Sequence, residues 1–381
     1  MDRLLYLTTW DFSDGASMGI TRKIRSQIKV FTNEEFKVDY TCIKDGFVWL
    51  YIDDVPKNLG KVGAGRKIAA NYYLARELRD SKYPFVYTRY GLMDTFYFCT
   101  LKELHKNGSR IVVEIPTYPY DEEKNRGLLW SILFGWDKLY RNRIKYVADA
   151  IFTYSEDDSI FGVPTIKGKN GTDFDEIHLR KVKEKNNTID LIAVAGLAKW
   201  HGYDRLIKGL GEYYKEGGKR IVRFHIVGAG KPIEEYKNII SQYGIQNYVY
   251  LYGLKYNDEL DAIYDKCDIG VENLGFHRTG VYYASTLKAK EYAAKGLPFI
   301  TSLNLDIFQN EYFVMKVPAD ESSINVYDII NFYDSIYDSS DYKKICYDIR
   351  EKAKKICDIR ITMLPVINYL KRDSNWKLGD K

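Results

Sequence analysis

The sequence predicts an α/β protein made of two domains, each built on a parallel β-sheet. Its 381 residues are enough for two hydrophobic cores of ordinary size. Hydrophobic residues at 45% and charged residues at 29% are typical of a folded soluble protein. Short apolar strand patterns alternate with longer helical patterns twice along the chain, and this alternation predicts parallel sheets with right-handed crossovers.

The first series opens with a strand over residues 3–10, a glycine-bearing turn over 11–19 and a helix over 20–31. Apolar residues at helical spacing define that helix, namely Ile20, Ile24, Ile28 and Phe31. Further strands are predicted over 85–90, 110–115 and 148–155, and further helices over 68–80 and 94–108.

The second series follows residues 167–188, a segment rich in Gly, Asn and charged residues that we interpret as a linker. Strands are predicted over 189–197, 223–230, 248–253, 268–274 and 298–302, and helices over 203–217, 232–244, 257–266 and 285–296. After about Ile324 the chain is mostly helical.

These patterns place the N-terminal domain at residues 1–172, the C-terminal domain at 173–365 and a helical tail at 366–381, whose return to the first domain stays open. Two parallel-sheet domains joined by a short linker bring the carboxyl ends of their strands to a common cleft. We therefore expect the ligand to bind between the domains.

Composition excludes several classes of function. A formal net charge of +5, with acidic and basic residues interleaved, predicts no nucleic-acid partner. Five widely spaced cysteines without C-x-x-C and five histidines without ligand spacing predict neither a disulfide framework nor a metal site. The N-terminus lacks a signal-peptide pattern and no apolar run reaches membrane-spanning length, which predicts a cytoplasmic protein.

Residues 128–147 combine an apolar, aromatic run with a basic end. This pattern fits either a helix that lies in a membrane interface or an ordinary helix that covers the sheet. Contact with the inner face of the cell membrane therefore stays open.

Three further motifs are weak. The G-x-G at 228–230 has Ile233 where a dinucleotide fingerprint needs its third glycine. The segment 60–68 resembles a phosphate loop, but it has Arg66 and Lys67 where Lys and Ser or Thr are needed. This segment more readily caps the helix that follows it. The acidic pair in "DFD" at 173–175 suits a divalent ion, but its place after Asn-Gly in a charged linker favours a turn.

The helix predicted over 285–296 carries Lys288 in its first turn, with Glu291 and Lys295 on the same face. These side chains form either a solvated stripe or an anion site. Because a helix N-terminus is positively polarised, a lysine there is unfavourable alone and favourable beside a bound anion.

The segments 193–210, 224–240, 248–271 and 285–302 resemble glycosyltransferase family 4 in order and spacing, as do the loop 11–19 and the interdomain segment 169–173. The resemblance implies a GT-B fold, in which two Rossmann-like, doubly wound domains face a cleft. It also implies a retaining transferase that uses a nucleotide-diphosphate sugar, most often a UDP-sugar, without metal or cofactor. Similarity to a capsule or surface-polysaccharide subgroup implies a glycan, lipid-linked or protein-linked acceptor.

The family's functional residues map onto named positions here. Lys288 matches the phosphate-contacting lysine and Glu291 the glutamate that holds the ribose, while Gly15, and less closely Gly19, match the loop near the diphosphate. The remaining residues expected at the donor are the nucleobase segment Tyr250, Tyr252 and Gly253, the strand-end Gly228, and the helix start Ser285, Thr286 and Leu287.

The chain departs from the family pattern at three positions. Tyr283 replaces the first glutamate of E-x7-E, and Gly196 and His201 replace the basic pair. Restored positive charge from Lys199 and Arg205 is a hypothesis. We include His201 among the catalytic candidates, together with Glu114, which either contacts sugar or acceptor or has a structural role.

Transfer builds negative charge on the leaving diphosphate, so cations and backbone N–H groups directed at it are needed. The sequence positions no obvious carboxylate nucleophile, so we favour the front-face route that the family resemblance implies, in which the leaving phosphate accepts the acceptor's proton. Two alternatives stay open: a nucleotide-sugar epimerase or hydrolase of the same fold, and a degenerate, non-catalytic transferase-like scaffold.

Overall fold

The computed structural model describes residues 2–15, 18–63, 66–119, 128–182, 187–337 and 341–372, without the side chains of 128–130. The chain forms two compact units: unit 1 comprises Met1–Asn170 and Ile359–Lys381, and unit 2 comprises Gly171–Asp358. The first break falls two residues before the predicted boundary at 172. The second falls at residue 358, before the predicted boundary at 365.

Unit 1 alternates strands and helices. Its elements before the linker are β1 (Arg3–Leu7), α1 (Met18–Asn33), β2 (Lys37–Lys44), β3 (Phe47–Ile52), β4 (Val55–Lys61), α2 (Arg66–Glu77), β5 (Phe85–Arg89), α3 (Thr95–Lys106), β6 (Arg110–Ile115), α4 (Leu128–Tyr140), β7 (Ala150–Thr153), β8 (Ser159–Ile160) and β9 (Val163–Lys167). The sheet order is β4-β3-β2-β1-β5-β6-β7-β9-β8, and the strands from β2 to β9 in this order pair in parallel.

Every residue of β6 is buried, because both faces of the sheet are covered. Ile111 and Val113 belong to the core on one face, whereas Val112 belongs to the core on the other. This strand is the continuous apolar run from which the sequence predicts it.

The two antiparallel hairpins at one edge, β2–β3 and β3–β4, are absent from the sequence prediction. Their turns carry Asp45-Gly46 and Asp53-Asp54, and all four residues have positive φ. Positive φ at both central positions is the type I′ geometry of two-residue hairpin loops. The Asp-Gly pair was the local signal for this part of the sheet.

Unit 2 contains a six-stranded, fully parallel sheet of order β12-β11-β10-β13-β15-β17. Its elements are β10 (Thr188–Val194), α5 (Tyr203–Lys215), β11 (Ile221–Val227), α6 (Ile233–Tyr243), β12 (Val249–Leu251), α7 (Asn257–Tyr264), β13 (Ile269–Val271), β14 (Tyr283–Ala284), α8 (Leu287–Ala294), β15 (Phe299–Thr301), β16 (Asn304–Leu305), β17 (Val314–Lys316), α9 (Val326–Tyr337) and α10 (Tyr342–Cys357). Counted within unit 2, this order is the doubly wound Rossmann pattern, which confirms the predicted fold class.

The last described helix, α11 (Ile359–Lys371), belongs to unit 1. The guanidinium of Arg110 donates a hydrogen bond to the backbone oxygen of Leu370 at 2.8 Å. The ammonium of Lys371 forms an ion pair with Glu34 at 2.9 Å. The side chain of Met363 is buried in the same core as β1 and α1.

Two sequence motifs have structural explanations. A Cβ on Gly228 would lie 1.8 Å from the Ala195 oxygen, and one on Gly230 would lie 1.9 Å from the Leu197 oxygen, so close backbone packing requires this G-x-G. At 173–175 the Asp173 carboxylate accepts the amide of Asp175 at 3.0 Å, which confirms the turn interpretation. In the phosphate-loop-like segment, Gly65 lies outside the described residues.

Candidate active site

The central feature of unit 2 is Lys288, which lies in the first turn of α8 after the N-cap residue Thr286. Its Nζ donates to Asn273 Oδ1 at 2.5 Å and to the Tyr203 hydroxyl at 3.4 Å. Asn273 follows β13, and Tyr203 begins α5 after β10, so Lys288 lies where the strand order reverses between β10 and β13. This switch point is where doubly wound sheets bind ligands.

No carboxylate of the described residues lies within ion-pair distance of the Lys288 ammonium group. Burial lowers the pKa of Lys288 to about 8, although Glu272 and Glu291 act in the opposite direction. The positive charge of Lys288 is therefore poorly compensated, and an anionic ligand would stabilise it.

Asn273 and Glu272 are site residues that the sequence reasoning missed. Glu272 has no exposed surface, and its carboxylate accepts the amide and side-chain N–H of Asn273 at 2.6 and 2.8 Å and the Thr301 hydroxyl at 2.9 Å. These bonds orient the Asn273 side chain so that its carbonyl oxygen meets Lys288. A polar pair directly after a buried strand was the available sequence signal.

His201 lies beside Lys288, as the resemblance implies, but it is not a cation. Burial, and then the charge of Lys288, lower the pKa of His201 to about 2. Its Nδ1 accepts the Ala198 amide at 3.0 Å, so the proton of the neutral ring is on Nε2. The ring stacks on Tyr203 at 5.4 Å between centroids. His201 can thus donate a hydrogen bond but does not replace the family's second positive charge.

The surroundings of Arg205 contradict the hypothesis that this residue supplies positive charge to a ligand. Its side chain has no exposed surface and donates to the backbone oxygens of Leu274, Pro318 and Ser322. These contacts join α5 to two loops, which is a structural role. Lys199 is exposed, as expected of a residue that could reach a ligand.

Gly196, in the position of the family's arginine, is exposed, and a Cβ there would meet no atom within 4 Å. This position therefore has room for a side chain, but glycine has none. The charge that the family places here is absent from the described structure.

The solvated-stripe interpretation of α8 is wrong for Lys295. That side chain is only 9% exposed, and its Nζ pairs with Asp261 Oδ1 at 2.6 Å. Glu291 is partly buried, close enough to Lys288 for its charge to affect the pKa of the lysine. The face of α8 that carries these residues packs against the unit rather than lying in solvent.

The residues just before α8 are only partly exposed. The Ser285 hydroxyl donates to Asp306 at 2.5 Å, whereas the Thr286 Oγ1 is buried and has no hydrogen-bond partner among the described residues. Leu287 begins the helix, which supplies unpaired backbone N–H groups in the same turn as Lys288.

The predicted nucleobase segment comprises Tyr250, inside β12, and Tyr252 and Gly253, which directly follow it. The Tyr252 hydroxyl and His225 Nδ1 lie 2.9 Å apart, and the Tyr250 ring stacks on His225 at 5.1 Å between centroids. Gly253 has φ of +68°, a left-handed conformation that favours glycine, and its oxygen accepts the Gly228 amide at 2.7 Å. Both tyrosines are therefore held by neighbours within unit 2.

In unit 1 the structure assigns Glu114 a structural role rather than a sugar contact. The residue has no exposed surface, and its Oε1 lies 2.9 Å from Arg89, 3.0 Å from Lys23 and 2.7 Å from the Tyr154 hydroxyl. Burial raises the pKa of Glu114, but Arg89 and then Lys23 outweigh it and hold the pKa well below its usual range.

The glycine loop of unit 1 is described only in part. Gly15 is exposed, and residues 16–17 lie outside the described residues. Gly19 lies in the first turn of α1 rather than in the loop, and a Cβ there would meet no atom within 4 Å. Its side-chain-free surface is open to an approaching ligand.

Within the described ranges, no group of three or more His, Cys, Asp or Glu residues is arranged to hold a metal ion. In the same ranges, no helix combines the length and apolar character that crossing a membrane requires.

Residues 174–280 match the family model described as glycosyl transferases group 1. Sucrose-phosphate synthase from Thermosynechococcus elongatus is similar in structure, with a TM-score of 0.64, 13% identity, and coverage of 97% of this chain and 99% of that one. The chain has the GT-B fold. No curated protein sequence matches it.

Two further similar structures were solved with nucleotide bound. HepE of Anabaena, in complex with UDP and glucose, has a TM-score of 0.60 and 12% identity, with 97% of this chain and 99% of that one covered. The pneumococcal O-GlcNAc transferase GtfA, in complex with UDP and GlcNAc, has a TM-score of 0.60 and 11% identity, with 98% and 99% covered.

Proposed function

We propose that this protein is a glycosyltransferase that takes a sugar from a UDP-sugar and transfers it, with retention and without a metal ion, to a glycan or lipid-linked glycan in surface-polysaccharide or glycoconjugate synthesis. The observation that carries the proposal is the poorly compensated Lys288 ammonium at the switch point of unit 2. The family match over 174–280 and the UDP complexes of similar structures support it.

Lys288 would contact the diphosphate of the donor. Glycosyl transfer moves negative charge onto the leaving UDP, so a cation that contacts the diphosphate is worth more in the transition state than in the ground state. The first backbone N–H groups of α8 would act in the same direction. The orphan hydroxyl of Thr286 offers one more donor at this helix start.

His201 would act as a neutral donor through Nε2–H. Because its ring stays uncharged beside Lys288, it adds a hydrogen bond without a second buried cation. Glu291 would hold the ribose hydroxyls, and Tyr250, Tyr252, Gly253 and Gly228 would border the nucleobase. In unit 1, Gly15 and Gly19 would leave the backbone open to a ligand.

We propose the front-face route, in which an oxygen of the leaving diphosphate takes the acceptor's proton as the glycosidic bond forms on the same face. Glu272 supports this route because three hydrogen-bond donors already engage its buried carboxylate. In this arrangement Glu272 positions Asn273 and is not a nucleophile.

The test replaces Lys288 and Glu291 by alanine and measures sugar transfer from UDP-sugars to a panel of glycan acceptors. Each variant should lose about a hundredfold in kcat/KM, Lys288→Ala because it removes a cation from the leaving diphosphate and Glu291→Ala because it removes charged hydrogen bonds to the ribose. Lys237→Ala, a lysine on α6 paired with Glu234, is the control and should stay at wild-type rate. Near wild-type transfer by both site variants would reject the assignment.

The same assay separates the alternatives. Full-rate nucleotide release without acceptor, or epimerised sugar found by mass spectrometry, would identify a hydrolase or epimerase. No calorimetric binding of any nucleotide diphosphate would favour the scaffold. Transfer that persists in excess chelator is expected, and strict dependence on magnesium or manganese would contradict metal-independent catalysis.

We also propose that α4 contacts a membrane surface. Ile132 and Leu139 lie seven positions apart, hence on one face of the helix, and are 58% and 69% exposed. Tyr146, in the 3₁₀ turn after the helix, is 67% exposed beside Lys145 and Arg143. This combination of exposed apolar and basic side chains is typical of interfacial helices.

Flotation with anionic phosphatidylglycerol vesicles tests this contact. Ile132→Glu with Leu139→Glu should abolish co-flotation, whereas Ile221→Glu, at an exposed position of unit 2, should not. Unchanged flotation of the double variant would refute the contact.

A further inference from the structure

The strand β3 of unit 1 carries a row of aromatic side chains on one face of the sheet. Phe47, Trp49 and Tyr51 occupy every second position of this strand and are partly exposed. Between them, Val48 and Leu50 are buried in a core of unit 1, whereas the three aromatic residues belong to no hydrophobic core of the described residues. Successive side chains of a strand point to opposite faces, so the three rings share one face, which we call the aromatic face.

The strand register places polar side chains beside these rings. Lys44 of β2 and Lys61 of β4 lie opposite Phe47, one on each side of it. Asn58 of β4 lies opposite Trp49. Residues directly opposite each other on neighbouring strands share a face, so two ammonium groups and an amide border the rings. From Phe47 to Tyr51 the row extends about 13 Å, which suits a chain of several rings rather than one small molecule.

Two contacts hold the rings of the aromatic face in place. The Trp49 indole N–H donates to the backbone oxygen of Lys44 at 3.2 Å. The Tyr51 ring stacks on the Tyr40 ring, with 4.4 Å between centroids and 6° between the ring planes. A ligand therefore meets side chains that are already oriented, and binding does not have to order them.

Three cations at this face lack a carboxylate partner. Arg25 is exposed on α1, and its guanidinium lies 5.4 Å from the centre of the Phe12 ring. Burial raises the pKa of Tyr51 and the charge of Arg25 acts in the opposite direction, which places Arg25 near this ring. Within the described part of the chain, neither Arg25 nor Lys44 nor Lys61 forms an ion pair with a carboxylate.

The opposite face of the same strands has compensated charge. Lys57 of β4 pairs there with Glu77 of α2 at 2.5 Å. The acidic residues that face the aromatic rings are Asp45 and Asp54, which lie in the turns at either end of β3. Three unpaired cations therefore outnumber two carboxylates, and the aromatic face has a surplus of positive charge.

We propose that the aromatic face binds an acidic glycan chain, with Phe47 and Trp49 in contact with sugar rings and with Lys44 and Lys61 as ligands of its carboxylates. The C–H face of a sugar ring packs on an aromatic ring, while the sugar hydroxyls bond to polar neighbours such as Asn58. The surplus of positive charge favours a chain that carries carboxylates over a neutral one. Binding rests on unit 1 alone; only the role of the chain as acceptor or product rests on the proposed transferase function.

Single-stranded nucleic acid is the other class of ligand that stacks on aromatic side chains beside cations. Two observations favour the glycan. The Tyr51 ring already stacks on Tyr40, which leaves less ring surface for a base. The net charge of +5 over 381 residues is also small for a nucleic-acid-binding protein.

The test titrates the full-length protein, without UDP-sugar, with a hexamer of galacturonic acid, with its neutral methyl ester and with a thymidine decamer. The acidic hexamer should bind about tenfold or more tightly than the ester, and the decamer should not bind. Trp49→Thr should weaken binding about tenfold through loss of ring contact, since threonine keeps the strand propensity. Lys44→Gln combined with Lys61→Gln should weaken it about tenfold and remove most of its salt dependence.

Two controls assign the binding to the aromatic face. Lys57→Gln removes a charge from the opposite face of β4, and Tyr72→Ala removes an exposed ring from α2; both should leave affinity unchanged. Because Trp49 belongs to no core, Trp49→Thr should keep the wild-type midpoint of urea unfolding. The lysine variant changes exposed side chains and keeps the test decisive if Trp49→Thr does not fold.

Equal affinity for the acidic and esterified hexamers, unchanged affinity in the lysine variant, or tighter binding of the decamer would each overturn the proposal. The proposed transferase function is read separately, through UDP release from UDP-sugars. Binding of the hexamer without any use of UDP-sugars would reject the transferase and keep the glycan site. Use of UDP-sugars with no binding of the hexamer would do the reverse.

Discussion

Two lysines of α8, two positions apart, have opposite electrostatic surroundings. Lys290 has no exposed side-chain surface and forms an ion pair with Asp306 at 2.7 Å. Its Nζ also donates a hydrogen bond to the Ser285 hydroxyl at 3.1 Å. Among the residues that the structure describes, Lys288 has only neutral hydrogen-bond partners, the Asn273 side-chain carbonyl and the Tyr203 hydroxyl. Lys290 therefore links the start of the helix to the loop after β16, whereas the charge of Lys288 has no carboxylate partner among the described residues.

The largest effect is expected at Lys290, on stability. Lys290→Met leaves the Asp306 carboxylate buried without its partner, so the free energy of unfolding should fall by about 3–5 kcal/mol. Urea unfolding measures this change, with Lys237→Met as the exposed control. A loss below about 1 kcal/mol would mean that the pair does not hold α8.

At Lys288 activity should change and stability should not fall. Lys288→Met should lower kcat/KM for the donor about a hundredfold or more, while its midpoint of urea unfolding stays equal to or above that of the wild type. The reason is that the substitution removes a buried charge that pairs with no carboxylate of the described residues. A variant that is both inactive and strongly destabilised would make Lys288 a structural residue like Lys290.

The pH dependence of activity should follow the charge of Lys288. The useful form of Lys288 is charged, so donor kcat/KM should fall as pH rises through about 8 in the free enzyme, tending to tenfold per pH unit. Lys288→Arg should remove this limb, because arginine stays protonated. A wild-type profile that is flat to pH 10 would contradict the lowered pKa.

Stability should respond to pH in the opposite sense. Since the folded pKa of Lys288 lies below its unfolded value, the unfolded chain binds more protons between about pH 8 and 10.4, and this group makes the fold more stable as pH rises there. The difference between wild type and Lys288→Met in urea unfolding isolates the effect.

The smallest effect is expected when Lys288 is given a carboxylate partner, as Lys290 already has in Asp306. Asn273→Asp places a carboxylate on Lys288, so the donor KM should rise about tenfold because the diphosphate meets a compensated charge. Asn304→Asp makes the same change beside another lysine, Lys316, whose Nζ lies 2.6 Å from Asn304 Oδ1, and should leave KM unchanged. Equal KM for wild type and Asn273→Asp would show that Lys288 does not meet the diphosphate.

The fold was largely predictable because its signals are local. Buried parallel strands such as β6 appear in the sequence as apolar runs. The regular spacing of the βα units in unit 2 predicts a doubly wound parallel sheet. The hairpins β2–β4 were missed because their strands are partly exposed and irregular in pattern. Their Asp-Gly turn at 45–46 carried the only strong local signal.

The site was less predictable because its contacts join distant residues. Lys288 could be selected from its place in the first turn of a helix, but Asn273 and Tyr203 reach it across 15 and 85 positions. Arg205 looked like a spare charge in sequence, and only the fold brings the oxygens of Pro318 and Ser322 to it. His201 likewise loses its charge through burial, which the sequence does not show.

Proton uptake on UDP binding tests the central claim most directly. Calorimetric titration with UDP at pH 8, in buffers of different ionisation enthalpy, measures the protons taken up per UDP bound. Because Lys288 is about half protonated in the free protein at this pH and an adjacent diphosphate raises its pKa, about half a proton should be taken up, and Lys288→Met should take up none. UDP binding with no uptake, or with the same uptake in both proteins, would contradict the account.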